Sequence, residues 1–329
     1  MRVPLLSLAL AVALLLVSLT SLCLGTAELS PTAVLDGLGG WGDPRAVLIV
    51  QEIRAPRVLL GLLVGAALGM TGAALQGLLR NPLADPGMIG TSASAGLGAV
   101  VALYFGWAAL VPWALPLAAM ACAAGGTGLL LAVAGRDGNT LSLILAGIAI
   151  SSLAIALTSL AMNLSPNPYA LSEIVLWLLG SLKDRSLDDV ALAAPFIAGG
   201  VLLLRWSGRG LDALALGEEA AISLGIRLGR LRLSVILGGA MAVGAAVAAA
   251  GSVGFVGLVV PHLLRPLGCQ RPAALLWPSA LGGAVLVALA DIAVRLIPAR
   301  SEIMLGVLTS LVGTPFFLAL ILKARRSPA

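Results

Sequence analysis

Apolar runs of about 20 residues recur along the whole of this 329-residue chain. That length matches an α-helix crossing the hydrocarbon core of a bilayer, and the repetition predicts a polytopic helical membrane protein. With 60% hydrophobic and only 11% charged residues, these runs lack the water-facing positions of soluble helices. Aromatic residues, at 4%, are too few for the girdles of a transmembrane barrel. The fold class is therefore all-α, in one transmembrane domain over residues 1–329. Ten spans are expected, at about 5–25, 57–79, 88–107, 112–134, 140–162, 189–206, 231–250, 253–267, 273–296 and 304–323. The start resembles a signal peptide, with Arg2 before a long apolar run, but its length and the later spans favour an uncleaved first helix.

Glycine is frequent, with 40 residues. "GLLVGAALGMTG", carrying Gly61, Gly65, Gly69 and Gly72, predicts close helix packing of the small-xxx-small kind. Cys23, Cys122 and Cys269 are scattered without metal-ligand spacing. The single histidine, His262, argues against a histidine metal site. No hydrophilic domain and no phosphate-binding GxxxxGK[ST] loop is present, so an energy source must come from a partner or an ion gradient.

Loop charge sets the orientation. With the N-terminus inside, 13 of the 20 basic residues fall on the cytoplasmic side, Arg2, Arg80, Arg136, Arg227, Arg230 and Arg232 among them. Seven fall outside, among them Arg54, Arg57, Arg295 and Arg300. The short, proline-containing eighth span is needed to keep the count even and the basic tail inside. Of the two long outer segments, 26–56 and 163–188, the second holds "IVLWLLG", too short to span. It is read as a re-entrant or interfacial helix with Trp177 at headgroup depth.

Charge gathers in one interval, "LDALALGEEAAISLGIRLGRLR", residues 211–232. Its helical pattern puts Ala220, Ala221 and Leu224 beside charges, a surface suited to a docked partner. The "NPLADPG" stretch after span two breaks the helix at Pro82 and Pro86, and is either a plain turn or a gate. Asp291 stands four residues before Arg295, at pairing distance on one helix face. Arg54, Arg57 and Arg295 oppose the positive-inside bias, so either they snorkel or an acidic group meets them. Ser301 and Glu302 suit the N-cap and first turn of the last span.

"RAPRVLLGLLVGAALGMTGAALQGLLRNPLADPGMIGTSASAG", "LILAGIAISS", "LALGEEAAISLGI", "GFVGLVVPHLLRPLG" and "ADIAVRL…SEIMLGVLTSLVGTPFF" occur in that order. As a set they resemble the permease subunits of binding-protein-dependent importers for iron–siderophore complexes, haem and cobalamin, over about residues 45–323. The resemblance implies a type II ABC importer permease fold of ten helices, forming a homodimer in a bacterial inner membrane with both termini cytoplasmic. It implies further partners: two ATPase subunits, a periplasmic substrate-binding protein and membrane lipid, but no nucleic acid. The chain itself carries no cofactor and is no enzyme; ATP and magnesium belong to the ATPase. By the same resemblance, Leu214, Leu216, Gly217, Glu218, Ala220, Leu224 and Gly225 lie in the cytoplasmic coupling helices, at about 212–227. Arg54, Arg57 and Arg295 match the arginines that dock the binding protein. Asn81, Leu83, Thr140 and Leu141 fall where the family has its cytoplasmic gate. Met304, where the family often has proline, and Ser94, where it commonly has glycine, are departures.

The expected cargo is a metal chelate, a ferric siderophore or haem first and cobalamin as the alternative. Two other classes compete. An ion-coupled secondary transporter would use buried carboxylates, for which Asp85 and Asp291 are the candidates. An intramembrane hydrolase would pair Ser92 or Ser94 with His262.

Overall fold

The structure, a computed structural model, describes residues 3–25, 27–111, 113–135, 140–165, 168–298 and 302–326. Ser301, expected at an N-cap, and Arg2, Arg136 and Arg300 lie outside the described residues. Among these residues the regular structure is all helical.

Each expected span falls on a helix. They are α1 (Val3–Cys23), α4 (Ala55–Leu78), α5 (Thr91–Tyr104), α7 (Ala114–Ala134), α8 (Thr140–Asn163), α10 (Leu187–Trp206), α13 (Leu228–Ala250), α14 (Val256–Leu264), α15 (Pro272–Leu296) and α16 (Leu305–Arg326). Shorter helices lie between them: α2 (Pro31–Leu38), α3 (Pro44–Leu48), α6 (Trp107–Leu110), α9 (Pro168–Leu178), α11 (Gly208–Leu214) and α12 (Glu218–Ser223). Seven helical rods among the described residues are long and apolar enough to cross a membrane, and one of them runs unbroken from Pro44 to Leu78 through α3, a π-helical turn and α4.

The shorter spans have local causes. The expected span 88–107 is instead a 3-10 turn at Pro86–Ile89 and a 14-residue helix, α5. Gly90 and Gly106, both with positive φ (78° and 69°), close it off at its two ends. Helix α14 continues only as a 3-10 turn to Leu267, too short for the hydrocarbon core. It is sheltered among α4, α15 and α16, where a short element is tolerated. The outer segment 26–56, read as a connection, is mostly helical. Ser30 and Asp43 cap α2 and α3, each with proline at the first helical position.

Helices α4 and α13 are buried along most of their length, and α1, α7, α8 and α10 are mainly exposed. Those exposed faces are apolar, as at Leu15 on α1 and Val133 on α7, which is the surface a bilayer solvates. The glycine stretch packs as expected. A Cβ at Gly65 or Gly69 would collide with the carbonyl oxygens of Gly283 or Ser279 on α15, and one at Gly72 with that of Gly257 on α14. Backbones meet there without side chains between them.

Trp177 is partly buried and packs against two clusters of the core, with its Nε1 covered and without a hydrogen-bond partner.

Candidate functional site

Three regions carry polar or exposed groups that the bundle alone does not require. The first is the α11–α12 surface. Helix α11 is anchored by buried Leu211 and Leu214, and Asp212 accepts a hydrogen bond from the Ala273 backbone N–H at 2.8 Å, capping the start of α15. Gly217 and Gly225, with φ of 114° and 81°, bracket α12. A non-glycine residue is disfavoured at both. Glu218 receives a hydrogen bond from Arg232 at 2.9 Å, tying α12 to α13.

The apolar pattern of α12 divides. Ala221 is fully buried against the chain, whereas Leu216 and Leu224 stand 71% and 63% exposed. The expected grouping of Ala220, Ala221 and Leu224 on one docking face is thus corrected. Ala221 holds the helix down, and the outward apolar group is Leu216, Ile222 and Leu224. Ile222, 59% exposed, was missed in the sequence because it fell between the residues that matched a pattern.

At the same end, Asn81 Oδ1 accepts from the Leu83 backbone N–H at 2.9 Å, which shapes the turn after α4. Gln76 holds three segments together. Its Nε2 donates to the carbonyls of Ala84 and Gly257, at 3.3 and 3.2 Å, and its Oε1 accepts from Arg265 at 2.7 Å. Thr140 begins α8 and Leu141 beside it is 61% exposed.

The second region is the opposite end of the bundle, where Arg54, Arg57 and Arg295 come together. Their acceptors are this chain's own. Arg54, 5% exposed, donates to the carbonyls of Leu22, Cys23 and Ala27. Arg57 pairs with Asp291 at 2.9 Å and with Glu302. Arg295 pairs with Asp291 at 3.0 Å and donates to the carbonyls of Ser21 and Leu24. The acidic groups that meet these arginines are therefore Asp291 and Glu302, and the helix end they cap is that of α1. Glu302 precedes α16 and serves as an ion-pair partner, not as a first-turn residue.

The third region is a cleft of about 620 Å³ beside α16, open on one side. Leu178, Val307 and Leu311 give it apolar walls, with hydroxyls from Ser252, Ser310 and Thr314. Gly306 makes the junction. Its N–H donates to the Leu179 carbonyl at 3.1 Å, and a side chain there would strike that oxygen.

The geometry weakens the ion-coupled rival class. Asp291 is held by two arginines and is no free proton carrier. Asp85 accepts from the Gly87 backbone N–H at 2.8 Å and caps a 3-10 turn. His262 packs edge-on against Phe316, with ring centroids 5.9 Å apart.

A model of the FecCD transport family matches residues 13–323. The chain belongs to the FecCD transport family. Among curated relatives, the vitamin B12 import system permease protein BtuC of Escherichia coli O9:H4 (strain HS) is 40% identical over 322 residues, covering 97% of this chain and 95% of that one. The protein of that name in Citrobacter koseri is 38% identical, covering 96% and 94%. Among solved structures, an ABC transporter assigned to the metal-chelate type, in an inward-facing conformation, superposes with a TM-score of 0.85 at 31% identity, covering 98% of this chain and all of that one. PsaBC from Streptococcus pneumoniae in complex with Fab, at 15% identity and a TM-score of 0.54, shares the fold. This FecCD permease is a multi-pass membrane transport protein, all-α as expected.

Proposed function

We propose that the chain is the translocating subunit of an importer in a bacterial inner membrane, with both termini cytoplasmic, and that it carries a metal chelate inward. The observation behind this is the family membership over nearly the whole chain, together with an exposed apolar seat on a helix that the fold holds rigidly. Two copies face each other so that the open cleft beside α16 becomes a closed path. A wall of apolar groups with sparse hydroxyls suits a large chelate, which must pass without being held.

Two ATPase subunits seat on Leu216, Gly217, Glu218, Ala220, Leu224 and Gly225, with Ile222 added; Leu214, expected in the same seat, is buried beneath it. ATP and magnesium are theirs. Movement there passes to α13 through Glu218 and Arg232, and to α15 through Asp212. Asn81, Leu83, Thr140 and Leu141 close the path on that side. A soluble binding protein docks at the arginine end, where Arg54, Arg57 and Arg295, held from within by Asp291, Glu302 and the end of α1, fix the shape of the surface it meets.

Ferric siderophore and haem are the first cargo reading. Cobalamin, itself a cobalt chelate, is favoured by the names of the relatives at 40% identity. The test is uptake into proteoliposomes holding this chain and its ATPase, with ATP enclosed and the binding protein outside. ATP-dependent accumulation of one labelled chelate supports the reading and names the cargo. Uptake that persists without ATP or binding protein overturns it.

A further inference from the structure

The α12 end of the bundle has another feature, which transport as proposed leaves unused. A cleft of about 480 Å³ lies between the last turn of α7, the first turn of α8 and the start of α13. Its lining is cationic at Arg227, Arg230 and Arg232 and apolar at Leu131, Leu143, Leu233 and Ile236. Leu143 and Ile236 are buried, whereas Leu233 is 43% exposed, so the apolar lining reaches the surface of the bundle.

Among the described residues most of this charge has no carboxylate partner. Arg232 has Glu218. Neither Arg227 nor Arg230 takes part in an ion pair among the described residues. Residues 136–139, next in sequence to the α7 wall, carry one arginine and one aspartate and add no net charge. Helix α13 starts at Arg227 without a side-chain cap, so its first N–H groups add positive potential on the same side.

The cleft sits where α7 ends and α8 and α13 begin, three helices long and apolar enough to cross a membrane, and a bilayer they span places its headgroups there. Its cationic and apolar groups ask for different chemistry in one molecule. A soluble anion satisfies the arginines and leaves the leucines wet. A neutral lipid does the reverse. We propose that this cleft binds an anionic phospholipid, with the phosphate on Arg227 and Arg230 and the upper acyl chain against Leu131 and Leu233. Basic pockets between spanning helices on the cytoplasmic side suit anionic headgroups in this way. Through Arg232 and Glu218 the bound lipid also touches the element that carries α12.

The full-length permease, purified in neutral detergent, is titrated with dioleoyl-phosphatidylglycerol, dioleoyl-phosphatidylcholine or tailless glycerol 3-phosphate, and bound lipid is counted by native mass spectrometry. Phosphatidylglycerol is expected to bind at least about tenfold more tightly than phosphatidylcholine and to resist displacement by glycerol 3-phosphate. Replacing both arginines, R227Q with R230Q, weakens it by about thirtyfold, while R205Q with R209Q, at the same end but off the cleft, changes it less than about twofold. Equal binding of the two lipids, equal effects of the two variant pairs, or displacement by the tailless phosphate overturns the proposal. A second measurement needs no variant: photoactivatable phosphatidylglycerol in membranes containing the wild-type chain is expected to label the peptides around Leu131 and Leu233. Labelling confined to other segments overturns the proposal. So does its complete loss when the ATPase assembles, which would assign the arginines to a protein interface.

Discussion

Single side chains, or their absence, set the closest contacts in this molecule. Gly69 and Gly128 are both helical glycines, yet a Cβ at Gly69 meets a carbonyl of α15 and one at Gly128 meets nothing within 4 Å. Gly69→Ala is therefore expected to destabilise by about 1–3 kcal/mol through overpacking. Gly128→Ala should leave stability unchanged or raise it by about 0.5–1 kcal/mol, because alanine loses less chain entropy in a helix. Thermal unfolding of the two variants in one detergent decides this, and equal losses would contradict the packing described. Asp291 gives a second case. It is 3% exposed and faces Arg57 and Arg295. Asp291→Asn leaves two buried cations short of a counter-charge and is expected to cost about 3–5 kcal/mol. A melting temperature within a degree of wild type would show that the arginines find other acceptors.

Elements repeat the lesson that exposure and pattern are different things. Helix α12 is only six residues long, and its position depends on Ala221 and on two glycine turns. Its outward leucine and isoleucine contribute little to the permease alone. Ile222→Asp combined with Leu224→Asp should thus leave the melting temperature of the isolated chain within about 2 °C of wild type. The same pair should abolish co-purification of the ATPase, since a charge in an apolar seat is not repaid by any partner. Retained assembly would move the seat elsewhere. The interval is marked in the sequence by its charge, yet its period puts Ala221 on the wrong side, because a period gives a face without saying what covers it. Ser30–Pro31 and Asp43–Pro44 carry the helix-start signal of α2 and α3, but the longer apolar run beside them dominates the pattern.

The bundle as a whole was legible because crossing a bilayer leaves few options: each span must be helical and apolar over nearly its full length. Pairing within one helix was legible too, as with Asp291 and Arg295. What escaped were the ties between distant segments. Arg57 with Glu302, Gln76 with Arg265 and Asp212 with Ala273 join residues far apart in sequence, and no local period records them. The cleft beside α16 is of that kind, since Ser252 and Ser310 share a wall only after α9, α14 and α16 have packed. Being open on one side, it has a genetic corollary. If two copies complete one path, every substitution on that wall is present twice, and a faulty chain spoils the sound one beside it. Co-expressing Ser310→Arg with wild type in equal amounts should leave roughly a quarter of the uptake, as random pairing of two subunits dictates. Half the uptake would mean that each chain works alone.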